Sequence, residues 1–67
     1  MMTWKEYNPF LFEGFAGDRV VASAIRAVEG WMPYLSGSDA TMPVRKTLWG
    51  AAVDAKRALR EREGRDG

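Results

Sequence analysis

Any catalysis by this chain would have to come from carboxylates, hydroxyls and amines, because it contains neither histidine nor cysteine. That removes Ser-His and Cys-His nucleophiles, zinc fingers, Fe–S clusters, imidazole-ligated haem and disulfides. Two acidic pairs remain, Glu61 with Glu63 and Glu13 with Asp18, on segments that read as a tail and a turn. Exposed there, neither carboxyl is lifted toward neutral pH as general acid–base work requires. Ser36, Ser38 and Thr41 have no imidazole to activate them. Gly37 followed by Arg45-Lys46-Thr47 distantly echoes a phosphate-binding loop, but the spacing is wrong and the second glycine is missing. The expectation is a protein that is not an enzyme and that uses no cofactor and no metal.

Contact chemistry is better represented. On a helical wheel, Met42, Trp49 and Val53 form an apolar patch opposite the core stripe of a C-terminal helix, ringed by Arg45, Lys46, Lys56, Arg57 and Arg60. A protein partner, a second copy of the chain or the N-terminal residues could cover such a patch. The same surface admits a nucleic-acid reading, in which the cations meet phosphates and Trp49 stacks on a base. Asp54, Glu61, Glu63 and Asp66 interrupt the basic face, and the pI of about 8.1 falls short of the value above ~9 typical of dedicated nucleic-acid-binding domains. Protein binding is the preferred reading.

The N-terminal segment is the densest in aromatics: Trp4, Tyr7, Phe10, Phe12 and Phe15 are five of the eight in the chain. They serve as an apolar lid over the helices or as anchors in a partner's pocket. Trp4 with Phe10 or Phe12 are the expected anchors.

Positioning these side chains calls for three elements. Thr3-Trp4-Lys5-Glu6 fits a capping box and Asn8-Pro9 a cap followed by a helix-starting proline, so residues 1–17 read as a short helical aromatic arm ended by Gly14 and Gly17. After Gly17-Asp18, Val21, Ile25, Val28, Met32 and Leu35 recur at helical spacing, predicting a helix over 19–32 that Pro33 ends. Residues 36–40 are turn chemistry. With Ser38, Asp39 or Thr41 as cap, a second helix is predicted over 42–63, its stripe being Val44, Leu48, Ala51, Ala52, Ala55, Ala58 and Leu59. An Arg57–Glu61 pair supports its surface. Residues 64–67 read as a frayed tail. The predicted fold is all-α: a single small domain built as an antiparallel helical hairpin with an aromatic arm, dimerising into a four-helix bundle.

A chain of 67 residues buries only about 60% of the surface its unfolded form exposes, so self-association or a partner is the expected supplement. Residues 1–40 carry three cations against five acids, and residues 41–67 carry seven against four, so the halves attract each other. No apolar run approaches the roughly 20 residues of a membrane span, and no signal peptide is legible. With no cysteine, the expected location is the cytoplasm. Seven arginines against three lysines suit a GC-rich bacterial or phage gene. The expected function is a protein–protein interaction module, acting as a small inhibitor, anti-activator or adaptor that occludes a larger protein. The alternatives are a nucleic-acid-binding regulator and a structural subunit of a larger assembly.

Overall fold

The computed structural model describes residues 2–38 and 41–65. They form strands β1 (Met2–Asn8), β2 (Leu11–Ala16), β3 (Arg19–Ala27) and β4 (Gly30–Leu35), then one helix, α1 (Leu48–Arg65). The strands pair in chain order as an antiparallel meander. This overturns the all-α hairpin. The aromatic arm is the β1–β2 hairpin, the helix expected over 19–32 is β3 with the first half of β4, and the helix expected over 42–63 begins at Leu48. One helix among the described residues also removes the basis for a four-helix-bundle dimer. Of the expected frayed tail, Gly64 and Arg65 lie in α1, while residues 66–67 lie outside the described residues, as do Asp39 and Ala40.

The turns explain the difference. Pro9-Phe10, Gly17-Asp18 and Val28-Glu29 each close a two-residue hairpin. Gly17 has φ of 67°, a left-handed conformation that glycine adopts without steric cost. Asn8, expected as a helix cap, accepts the Phe10 amide through Oδ1 at 2.8 Å and forms an Asx turn. Between the turns, Val20, Val21 and Ile25 favour an extended backbone. The helix-like spacing of Val21, Ile25, Val28, Met32 and Leu35 does not trace one face. Ile25 pairs with Met32 on one side of the sheet, Leu35 pairs with Ala22 on the other, and Val28 is in a turn.

Pro33 sits inside β4 opposite Ala24 and is fully buried. Trp31 and Arg45 exchange backbone hydrogen bonds of 2.7 and 2.8 Å along the outer edge of β4. Two residues on, Pro33 turns its nitrogen to that same outer side, so its missing donor removes no bond from the β3–β4 ladder.

The core lies between α1 and the β3–β4 half of the sheet. Ala22, Ala24 and Leu35 are buried on the sheet side and Ala51 and Ala55 on the helix side, with Met42, Ala58 and Leu59 packed around them. Small side chains on both layers allow helix and sheet to approach closely. The stripe of small residues therefore meets a sheet where a second helix was expected. Val44, assigned to that stripe, precedes the helix and is exposed.

Two contacts set where α1 begins. Gly30, with φ of 155°, lies so close to the incoming chain that an added Cβ would be 1.9 Å from the Arg45 carbonyl oxygen. Thr47 then caps the helix, its Oγ1 accepting the Gly50 amide at 3.0 Å, in the place expected for Ser38, Asp39 or Thr41. Near the other end of α1, Arg62 donates to the Ser36 carbonyl at 2.9 Å.

Gly30→Ala is expected to destabilise the fold by about 3 kcal/mol, from overpacking against backbone that cannot yield. Thr47→Ala should cost about 1 kcal/mol. Denaturant unfolding monitored by circular dichroism checks both. Equal effects of the two would contradict the close approach at Gly30.

Candidate functional site

Trp4 in β1 pairs with Gly14 in β2. A Cβ on Gly14 would lie 3.2 Å from the Trp4 ring and 2.6 Å from the Met2 sulfur. Glycine thus lets both side chains of β1 lie across its neighbour, and the aromatic covers backbone that glycine leaves bare. Both residues also touch the edge of the core.

Beside them a groove of about 710 Å³ opens between β1 and α1. Its apolar lining comes from Met2 and Trp4 on β1 and from Leu48, Trp49, Ala52 and Val53 on α1, with Lys56, Arg57 and Arg60 lining the rest. Among the described residues no carboxylate lines it. Trp49 is 78% exposed, although its indole would gain considerably from burial. The groove follows from the placement of α1. A helix with its side chains is about 10–12 Å across and strands are about 4.8 Å apart, so one helix covers roughly two strands. Here it packs on β4 and β3, leaving the same face of β1–β2 uncovered.

The side chains singled out from the sequence do not stay together. Trp4, Trp49, Val53, Lys56, Arg57 and Arg60 come together at the groove. Met42, expected beside Trp49, packs against the core. Phe12 sits edge-on to Trp31, with ring centroids 5.4 Å apart, and the Arg26 guanidinium lies 5.7 Å from the Trp31 ring. Phe10 occupies the β1–β2 turn, 66% exposed and away from the groove.

Two of the five cations proposed for an acidic or nucleic-acid partner do not line the groove. Arg45 is held by an ion pair with Asp54, and Lys46 is exposed just before α1. The Arg57–Glu61 pair is not formed, and among the described residues Lys56, Arg57 and Arg60 have no anionic partner. Met2, Leu48 and Ala52 were missed as groove residues. For the β1 wall the signal is an aromatic opposite a glycine, legible only once β1 and β2 are read as strands, whereas Leu48 and Ala52 lie on α1, and helical spacing alone assigns them to its core stripe.

The other face of the sheet carries Leu11, Phe15, Ile25, Met32 and Tyr34 by strand alternation. Lys5, the cross-strand partner of Glu13, lies 5.5 Å over the Phe15 ring there. Among the described residues no cluster of three or more carboxylates suits a metal ion, and no helix is long and apolar enough to cross a membrane. No protein-family model matches the chain, and neither the curated proteins nor the solved structures include a match to it.

Gly14→Ala should displace the Trp4 indole and Met2 from β2. The expected readout is a changed near-ultraviolet dichroism of tryptophan with a stability loss of about 1–2 kcal/mol. An unchanged tryptophan spectrum would mean that Trp4 does not lie across Gly14.

Proposed function

We propose that this chain is a non-enzymatic protein-interaction module that seats a segment of a partner protein in the groove between β1 and α1. The observation carrying this reading is Trp49, left 78% exposed at the mouth of an apolar groove. Tryptophan and arginine are the residues most enriched where interfaces concentrate their binding energy, and Arg57 and Arg60 stand with Trp4 and Trp49 here. A module of this size acts by occupying a surface of something larger, as an inhibitor, anti-activator or adaptor. A cytoplasmic location fits the absence of cysteine.

Nucleic acid is the second reading, favoured by two tryptophans and three cations sharing one groove. The lining argues against it. Four of its six apolar residues, Met2, Leu48, Ala52 and Val53, cannot stack on a base, and the cations stand on the helix side alone.

Selection of a random-peptide library on the folded chain separates the two. Groove-dependent peptides are expected, bound at least about tenfold more weakly by Trp49→Ala and Val53→Asp, a loss of roughly 1.4 kcal/mol or more. Trp49→Ala itself should change folding stability by less than about 0.5 kcal/mol, as for other exposed positions. Enrichment indifferent to both substitutions, together with tight, steeply salt-dependent binding of a single-stranded thymidine oligonucleotide, would overturn the proposal in favour of nucleic acid.

A further inference from the structure

The geometry points to an acidic amphipathic helix, supplied by a partner protein, as the occupant of this groove: it would lie beside α1 and complete the half-covered helical layer over β1–β2. This inference rests on the protein-binding reading above and adds the shape and charge of the segment bound.

The shape follows from the uncovered half of the sheet. What is missing over β1–β2 is a rod about as wide as α1, since each helix spans about two strands. Met2 and Trp4, lying across Gly14, form the sheet side of that berth, and Ala52 and Val53 form its α1 side. Ala52, a small residue on the α1 wall, leaves room for close approach of a second helix there, as Ala55 does on the side of α1 turned to the sheet. A peptide presenting apolar side chains at positions i, i+3, i+4 and i+7 would place them on these residues. Its flank toward α1 would face Lys56, Arg57 and Arg60.

Those three cations set the sign. They fall within five residues of one another on α1 and, among the described residues, have no anionic partner and share the groove with no carboxylate. Glutamates along one flank of the incoming helix would meet all three. A second copy of the chain is a poorer occupant. Two copies joined through their grooves would bring six such cations together around a shared apolar seam, and like charges held at that distance repel. An extended strand added to the outer edge of β1 could use that strand's outward backbone groups, but it would leave the α1 wall of the groove uncovered.

The test uses two synthetic 18-residue peptides of identical apolar stripe, one with glutamate and its twin with lysine along the flanks. A third peptide is the glutamate form with a central proline. Binding to the full chain is read by fluorescence anisotropy at 0.15 M salt. The glutamate peptide is expected to bind at least about tenfold tighter than its lysine twin and than the proline form, and to gain helical dichroism on binding. The combined variant K56E/R57E/R60E, altered only at exposed positions, should reverse the charge preference while leaving unfolding unchanged.

Equal affinity for the glutamate and lysine peptides overturns the charge assignment, and undiminished binding of the proline form overturns the helical one. Either result leaves the module reading standing if library peptides still depend on Trp49 and Val53. Binding by neither helical peptide overturns this inference, and the library then decides whether the module reading falls with it. Self-association of the chain that is lost on Trp49→Ala would assign the groove to a second copy instead.

Discussion

A sheet of four strands presents a face that one helix cannot cover, and every functional statement about this chain descends from which half α1 leaves bare. Its position is imposed from the β4 edge. Arg45 zips onto Trp31, and Gly30 offers no side chain to keep the incoming backbone at a distance. Thr47 starts the helix two residues later. α1 then packs its alanines against Ala22 and Leu35, and Arg62 ties it to the carbonyl of Ser36. With the helix committed to β3 and β4, the Trp4–Gly14 pair on the far side becomes the wall of a groove.

The balance of stability and function follows from the same placement. A chain this short has little apolar surface to spare for its own core, yet it holds Trp49 largely in solvent and lines a groove with Met2, Leu48 and Val53. Closing the groove from within would take a second helix, and α1 is the one helix among the described residues. The ion pair between Arg45 and Asp54 occupies the first acid of α1, and among the described residues Lys56, Arg57 and Arg60 have no anionic partner. Apolar walls with a basic flank result from where the charges fall along α1, with no special local geometry needed.

Part of this was legible in the sequence. The C-terminal helix was, because Leu48, Ala51, Ala52, Ala55, Ala58 and Leu59 repeat at helical spacing in good helix formers. So was the grouping of Trp49 and Val53 with Lys56, Arg57 and Arg60, which one helix fixes by itself. The sheet was not. Its buried positions include Gly14, Ala22, Ala24 and Pro33 beside Val21 and Leu35, and the first four are of three residue types that carry no strand signature: alanine favours helices, and glycine and proline are depleted in strands. The larger apolar residues of β3 and β4 fall on alternating faces and in a turn, and by accident repeat at four, three, four and three. Gly17-Asp18 served equally well as a helix start and as a hairpin turn, and only the pairing of β2 with β3 decides between them. Trp4 was picked out as an anchor, but its place opposite Gly14 depends on a register that no single segment reveals.

The central claim is that α1 lies over β3 and β4 and leaves the β1–β2 half of that face open. Nuclear Overhauser contacts in the isolated chain test it most directly. The account predicts contacts from the Ala55 methyl to Ala22 and Leu35, cross-strand α-proton contacts along the β3–β4 hairpin, and none between the Trp49 indole and Phe12. Sequential amide–amide contacts running through 19–32, the signature of a helix there, would contradict it, as would a Trp49 ring packed onto β2.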